Sequence, residues 1–222
     1  MRHVFGRLIA FDLDGTLVDS SRDLADSINE TLAEHGAAPL PHDAVTRMIG
    51  DGARVLVSRA LVAAGVVETP QTIARFLEIY DARLLNHTRP YEGIVDAVHA
   101  ARKQARVAIV TNKPLGPTQR LLEGLGLLGL FDDVVGGDGP FPRKPDPTAL
   151  LGLMARAGAE PRRTLMIGDS RVDYEVAQRA SARCCLVAYG FSYHSLAGVS
   201  TGDAWVAADV PGLVKGIGQF AA

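Results

Sequence analysis

Four short apolar runs constrain the fold of this chain more than any other feature. None of them alternates polar with apolar residues, so each is typical of a parallel strand that helices cover on both faces. The runs are RLIAFD (7–12), RVAIVT (106–111), TLMIGD (164–169) and CCLVAY (184–189). Apolar residues at helical spacing lie between the runs. This order of strand and helix predicts a doubly wound, Rossmann-like α/β fold with a parallel sheet.

The interval from residue 16 to residue 90 breaks this order, because it has helical periodicity and no convincing strand. We predict an all-helical cap over residues 16–90, inserted after the first strand into a core domain of residues 1–15 and 91–222. The chain is expected to leave and re-enter the core at neighbouring points. The cap would then cover the carboxyl ends of the strands, where open α/β sheets bind ligands.

The composition excludes several classes of protein. A hydrophobic fraction of 47% with 22% charged residues is typical of a folded chain rather than a disordered one. A formal net charge of −2 without a dense basic cluster argues against a nucleic-acid partner, and no run reaches the ~18 apolar residues of a membrane span. Adjacent Cys184 and Cys185 are predicted to be free thiols. We expect a cytoplasmic monomer or homodimer.

Polar side chains follow three of the four runs. Asp12 and Asp14 end the first, Thr111 and Asn112 end the second, and Asp169 ends the third. The carboxyl ends of parallel strands meet at one edge of a sheet, so these side chains should converge on one crevice. Two carboxylates so close together repel each other, and a hard cation such as Mg²⁺ relieves that repulsion. We therefore predict a Mg²⁺ site that includes Asp12, Asp14 and Asp169.

A lysine joins this cluster through the segment PRKPDPTAL (142–150). Lys144 lies in a rigid context, because Asp146 is placed to cap the next helix and Pro147 suits its first position. Carboxylates, Mg²⁺, a lysine and the Thr111 hydroxyl match the charge of a phosphoryl group. One ionised aspartate can attack phosphorus without a base, and a second carboxyl can protonate the leaving alkoxide and later deprotonate water.

Each of these residues also has a structural interpretation. Asp12 and Asp14 precede a glycine, as turn residues often do, Thr111 and Asn112 suit a strand and its turn, and Asp169 or Ser170 would cap the next helix. A further segment, GDGAR (50–54), is equally open. Its backbone near Gly52 and the Arg54 guanidinium are candidates for binding an anionic substrate, or the segment is only a turn before a helix.

Taken in order, these segments resemble the four motifs of the haloacid-dehalogenase-like hydrolase superfamily. The segments are DLDGT (12–16), TN (111–112), KP (144–145) and GDSRVD (168–173). The resemblance implies that Asp12 is a nucleophile that forms an aspartyl-phosphate and that Asp14 is the general acid and base. It further implies that Thr111 and Lys144 bind the phosphoryl group.

The same resemblance implies a set of metal ligands. Asp12, Asp169 and the main-chain carbonyl of Asp14 would hold Mg²⁺. Asp173 and Ser170 would support the metal through water or hydrogen bonds.

Within the superfamily the chain is similar to the phosphoglycolate phosphatase family. The similar segments are MIGDGARVLVSRAL (48–61), IVTNKP (109–114), GGDGPFPRKPDP (136–147) and AYGFS (188–192). The similarity implies a Mg²⁺-dependent phosphomonoesterase acting on a small anionic phosphomonoester, with 2-phosphoglycolate as the expected substrate. One alternative is a phosphatase or phosphomutase of the same superfamily acting on a sugar phosphate or pyrophosphate. Another is a dehalogenase, which differs at the position of Asp14. A third is a phospho-accepting receiver protein, which lacks the insertion.

Overall fold

The strands and helices follow the predicted order through most of the chain. The computed structural model describes residues 6–221, so the first five residues and the last residue of the predicted core domain lie outside the described part. The strands are β1 (Leu8–Phe11), β2 (Val18–Asp19), β3 (Arg89–Pro90), β4 (Arg106–Val110), β5 (Asp133–Val135), β6 (Thr164–Gly168), β7 (Arg183–Val187) and β8 (Trp205–Ala207). The helices are α1 (Ser21–Glu34), α2 (His42–Thr46), α3 (Ala53–Ala63), α4 (Pro70–Arg83), α5 (Ile94–Arg102), α6 (Leu115–Gly124), α7 (Thr148–Ala157), α8 (Arg171–Arg179) and α9 (Val210–Ala221).

Six of the strands form one parallel sheet in the order β5-β4-β1-β6-β7-β8. The chain builds outward from β1 in one direction through β4 and β5, and then in the other direction through β6, β7 and β8. The strand order therefore reverses beside β1, which is the position where such sheets place a ligand crevice. The four predicted sheet strands are confirmed, and β5 and β8 were not predicted.

Helices cover both faces of the sheet, which confirms the doubly wound fold. Alternate residues of each strand point to opposite faces: Ile9 and Phe11 pack in one hydrophobic cluster with residues of α5, α6 and α9, whereas Leu8 and Ala10 pack in a second cluster with α7 and α8. The neighbouring cysteines follow the same rule, since Cys184 belongs to the second cluster and Cys185 to the first. Both thiols are free and buried, as predicted.

The inserted interval contains α1 to α4, joined to the sheet by a short antiparallel ribbon of β2 and β3. Val18 pairs with Pro90, and Asp19 pairs with Arg89. The departing and returning segments are therefore neighbours, as expected, but the expectation that no strand lies between residues 16 and 90 was wrong for these two short strands. We call residues 16–90 the cap below; their status as a separate domain stays a prediction.

A buried aspartate ties the first cap helix to the returning segment. Asp23 of α1 is 1% exposed, and its carboxylate accepts hydrogen bonds from the backbone N–H of His87 and from both the N–H and the hydroxyl of Thr88, at 2.7–3.0 Å. The charge of Asp23 is thus distributed over three donor groups at the base of the cap.

Within residues 6–221, no helix combines the length and the apolar character needed to cross a bilayer.

Candidate active site

Asp12 and Lys144 form a buried ion pair at the centre of the site. Asp12 directly follows β1, and its backbone N–H donates to the Ile167 carbonyl of β6 at 2.8 Å, so the sheet itself fixes its position. The Lys144 ammonium lies 2.7 Å from Asp12 Oδ1 and 2.6 Å from Asp173 Oδ1. Burial alone would lower the pKa of Lys144, but the attraction of the two carboxylates outweighs it and raises that pKa.

The same surroundings act on the Asp12 carboxyl in the opposite sense. Burial raises the pKa of Asp12 to about 6, and the negative charge of Asp173 adds to this, whereas Lys144 opposes it. Burial also raises the pKa of Asp169 well above its usual value, with Asp173 and Asp12 adding to the effect. Lys144 alone therefore does not neutralise the negative charge of these carboxylates, and a further cation would relieve their mutual repulsion.

The donor atoms fit a divalent metal ion. Asp12, Asp169 and Asp173 each offer a carboxylate oxygen, and these oxygens lie within 4.8 Å of one another. Asp169 accepts a hydrogen bond from the Ser192 N–H at 2.8 Å through Oδ2, while its Oδ1 is buried with no hydrogen-bond partner among the described residues. A buried carboxylate oxygen without a donor is costly unless a cation binds it.

The backbone around Asp169 leaves no room for additional side-chain atoms. Gly15 has a φ of +84°, and a Cβ at this position would lie 2.1 Å from Asp169 Oδ2. A Cβ at Gly190 would lie 2.2 Å from the Asp169 Cβ. The two glycines thus allow the main chain to pack directly against the carboxylate, and they hold it in one place.

Ser170 and Asp173 have a structural role that accompanies any role at the metal. Together they form a capping box at the start of α8: Asp173 Oδ2 accepts from the Ser170 N–H at 3.0 Å and from the Ser170 hydroxyl at 2.5 Å. The helix-capping interpretation of GDSRVD is therefore confirmed for Ser170. Asp146 accepts from the Thr148 N–H at 2.9 Å, but α7 begins at Thr148 with Pro147 in the cap position, so the predicted placement of Asp146 as cap and Pro147 as first helical residue was one position too early.

Asp14 is held by groups on both sides of the site. The Ser20 hydroxyl donates to Asp14 Oδ1 at 2.6 Å, and the Lys113 ammonium lies 3.1 and 3.2 Å from the two carboxylate oxygens. Lys113 also donates to the Tyr80 hydroxyl of α4 and lies 4.5 Å from the centre of that ring. Burial raises the pKa of Tyr80 to about 12, so its hydroxyl stays protonated.

Lys113 is the residue of this cluster that the sequence analysis missed. Its side chain is 4% exposed, which is rare for a lysine unless a carboxylate pairs with it. Burial by itself would lower the pKa of Lys113, but Asp14 and Tyr80 outweigh it and raise that pKa. The available signal was its position in IVTNKP, directly after two predicted site residues at the end of a buried strand.

Thr111 and Asn112 lie where the second predicted strand ends. The Thr111 N–H donates to the Val135 carbonyl of β5 at 3.0 Å. Asn112 donates to the carbonyl of Lys144 at 3.1 Å and to that of Gly50, in the cap, at 3.3 Å. Asn112 Oδ1 is buried without a partner among the described residues. Asn112 therefore joins the core strand, the Lys144 loop and the cap.

A small cavity opens beside these groups between the sheet and the cap. Its volume is about 40 Å³. The core contributes Asp12, Asp14, Thr111, Asn112 and Lys113 to its lining. The cap contributes an apolar wall that includes Leu24, Leu56 and Leu77. The cap thus covers the carboxyl ends of the strands, as predicted.

The two predicted cap residues differ in their relation to this cavity. Gly52 lines it and lies near the carbonyl of Asn112, since a Cβ there would be 3.1 Å from that oxygen. Arg54 does not line it: its side chain is 71% exposed and lies 3.9 Å from Glu68. The structure therefore brings together every predicted site residue except Arg54.

Comparison with known proteins shows which family the chain belongs to. The model of the haloacid dehalogenase-like hydrolases matches residues 9–187, a span that includes all four motifs. The chain belongs to this family. A phosphoglycolate phosphatase of Rhodospirillum rubrum is 42% identical over 200 residues, which are 86% of this chain and 83% of the relative. Phosphoglycolate phosphatase 1 of Pseudomonas aeruginosa is 42% identical over 84% of this chain and 71% of its own length.

A solved structure shows the same architecture. It is described as a predicted phosphoglycolate phosphatase from Haemophilus somnus, with a TM-score of 0.85, 31% identity, and coverage of 95% of this chain and 97% of that one. Within the hydrolase family the chain thus belongs with the phosphoglycolate phosphatases. The receiver-protein alternative is excluded by this membership.

Proposed function

We propose that this hydrolase cleaves 2-phosphoglycolate to glycolate and phosphate through an aspartyl-phosphate on Asp12, with Mg²⁺ as the cofactor. The observation that carries the proposal is the cavity in which Asp12, Asp14 and Thr111 face an apolar cap wall across about 40 Å³. The names of the curated relatives, at 42% identity, support the substrate.

The metal site is proposed to use Asp12, Asp169 and the carbonyl of Asp14, with Asp173 and Ser170 behind them. The unpartnered oxygen of Asp169 and the three clustered carboxylates support this set. When bound, the ion would neutralise the phosphoryl oxygens and the attacking carboxylate, which lowers the electrostatic barrier to their approach. Mg²⁺ suits an all-oxygen site of this kind.

The first step forms a bond between an Asp12 carboxylate oxygen and phosphorus, and the bond from phosphorus to the glycolate oxygen breaks. Lys144, beside Asp12, compensates the phosphoryl charge, and the Thr111 hydroxyl and Asn112 amide orient the group. Asp14, which must be protonated for this step, gives its proton to the departing glycolate oxygen. Ser20 and Lys113 hold the Asp14 carboxyl group in place for this transfer.

The second step reverses the roles of the two aspartates. Asp14, now ionised, removes a proton from a water molecule, whose oxygen attacks phosphorus. The bond from phosphorus to Asp12 breaks, phosphate leaves, and the Asp12 carboxylate is regenerated. The cap wall of Leu24, Leu56 and Leu77 keeps other water away from the intermediate.

The size of the cavity supports a small leaving group. A volume of about 40 Å³ accommodates about three water molecules. 2-Phosphoglycolate is itself larger than three water molecules, so the cap would have to lie farther from the sheet for any substrate, and farther for a hexose phosphate than for a two-carbon one. The backbone near Gly52 would face the substrate from the cap side.

A cytoplasmic location and a monomeric or homodimeric state remain part of the proposal.

The substitution Asp12→Asn tests the chemistry. An amide is not a nucleophile towards phosphorus, so turnover should disappear while the circular-dichroism spectrum and cooperative unfolding persist. Asp26→Asn, on the exposed side of α1, is the matched control and should retain full activity. Hydrolysis by the Asp12 variant at the wild-type rate would refute the assignment of Asp12 as the nucleophile.

A substrate panel tests the specificity. We expect 2-phosphoglycolate to give the highest kcat/KM among 2-phosphoglycolate, hexose phosphates and pyrophosphate, and we expect activity to be lost in EDTA and restored by Mg²⁺. A higher kcat/KM for a sugar phosphate would replace the proposed substrate and leave the mechanism intact.

A further inference from the structure

The charge lining the cavity is uneven. Asp12 and Asp14 contribute carboxylates, the cap wall is apolar, and among the described residues that line the cavity Lys113 is the only cation. Lys144 lies outside the lining, between Asp12 and Asp173. Arg54 is exposed and pairs with Glu68. A substrate with a second anionic group beside its phosphate therefore has one cation available for that group.

Lys113 has the donor capacity for such a contact. An ammonium carries three N–H groups, and two acceptor groups engage it here, the Asp14 carboxylate and the Tyr80 hydroxyl. The two distances to Asp14 are nearly equal, 3.1 and 3.2 Å, as expected when its oxygens share one hydrogen. With one hydrogen shared by the two Asp14 oxygens, one donor of Lys113 remains for a third acceptor. The Tyr80 hydroxyl orients the ammonium from the cap side.

We propose that the Lys113 ammonium binds the carboxylate of the substrate and so sets the preference of this site for carboxylate-bearing phosphomonoesters. The inference rests on the proposed function and adds the group that recognises the glycolate end. The position of Lys113 next to Asp14 also suits this role, because a single carbon separates the substrate carboxylate from the oxygen that receives the proton of Asp14. One lysine then holds both the substrate and the residue that protonates it.

The test compares a substrate that carries this second charge with one that lacks it. 2-Phosphoglycolate and 2-hydroxyethyl phosphate, called the neutral analogue here because an uncharged CH2OH group replaces its carboxylate, are assayed with the wild type, Lys113→Met and Lys113→Arg, and with the exposed-lysine control Lys215→Met. If a substitution at Lys113 disturbs Asp14, it changes kcat/KM for both substrates. The ratio of the two kcat/KM values is therefore insensitive to that disturbance. Lys113→Met should lower the ratio by about 10- to 100-fold, mainly through KM, since hydrogen bonds to charged groups have this strength. Lys113→Arg should restore part of the ratio.

A binding measurement removes catalysis from the comparison. Glycolate should competitively inhibit hydrolysis of the neutral analogue, and its Ki should rise at least tenfold in Lys113→Met but less than threefold in the exposed-lysine control Lys215→Met. If Lys113→Met slows both substrates equally and leaves the glycolate Ki unchanged, the lysine is only structural and the inference is wrong. If the wild type itself prefers the neutral analogue, the proposed function fails as well, so the two failures are distinguishable.

Discussion

The ammonium nitrogen of Lys144 lies 2.7 Å from Oδ1 of Asp12, with only 2% and 11% of the two side chains exposed. A second carboxylate, from Asp173, lies 2.6 Å from the same nitrogen. Lys144 therefore compensates part of the negative charge that Asp12, Asp169 and Asp173 bury together.

The substitution Lys144→Met should remove this compensation. We expect the metal-free protein to lose about 3–5 kcal/mol of unfolding free energy at pH 8, because buried carboxylates lose their partner. The loss should be smaller at pH 5, where a carboxyl can be protonated, and Mg²⁺ should recover part of it. Urea unfolding with EDTA or Mg²⁺ measures this, with the exposed Lys215→Met as control. Equal losses in EDTA and Mg²⁺ would show that the carboxylates do not share a cation.

The raised pKa of Asp12, about 6, predicts a pH dependence of stability in the metal-free protein. The folded state binds the Asp12 proton more tightly than the unfolded state does, so the stabilisation is fully present below about pH 4 and is lost as the pH rises to 6. Asp12→Asn removes this dependence. The unfolding free energy of the variant minus that of the wild type should increase by up to about 3 kcal/mol from pH 4 to pH 7.

Urea titrations in EDTA across this pH range provide the measurement. Saturating Mg²⁺ should reduce the difference, because the ion stabilises the ionised carboxylate. A difference between variant and wild type that stays constant from pH 4 to 7 would contradict the raised pKa.

Gly15→Ala should damage the metal site. The new Cβ would lie 2.1 Å from Asp169 Oδ2, so Asp169 must move, and we expect Mg²⁺ affinity to fall about 10- to 100-fold. The positive φ of +84° adds about 1–2 kcal/mol of conformational strain. Gly36→Ala is the matched control, with φ of +69° and nothing within 4 Å. Calorimetric Mg²⁺ titration should separate them: Gly36→Ala loses stability only. A Gly15→Ala protein with wild-type affinity would contradict the close packing.

Asp23→Asn should loosen the base of the cap. An amide cannot accept all the hydrogen bonds that His87 and Thr88 donate with the strength of a carboxylate, so we expect a loss of about 1.5–3 kcal/mol in unfolding free energy. Asp26→Asn, on the same helix but 42% exposed, should change stability by less than about 0.5 kcal/mol. Faster amide hydrogen exchange at His87 and Thr88 would locate the effect. Equal stability of the two variants would argue against the anchor.

The sequence predicted the centre of the fold and of the site for one physical reason. Strands buried on both faces are continuous apolar runs, and β4, β1 and β6 are neighbours in the sheet, so the polar residues after them necessarily converge. Asp12, Thr111 and Asp169 were found in this way. The edge strands β5 and β8 have only three residues each, too few for a pattern.

Two residues show where the sequence was insufficient. A lysine in a polar stretch is normally solvated, and Lys113 is buried because Tyr80, 33 positions earlier, reaches it from the cap. No local pattern contains that contact. For Arg54, the glycine-rich segment left an anion site and a plain turn equally open. Its place at the start of α3 directs the side chain towards Glu68.

The ribbon of β2 and β3 is the place where the main chain passes between core and cap, because the paired strands carry it out and back side by side. An insert of a different size or shape can therefore replace the cap during evolution without altering the register of β1 with β4 and β6. The reacting groups would be inherited unchanged while substrate range diversifies by exchange at this joint. The contact between Lys113 and Tyr80 marks the place where any new insert has to match the old core.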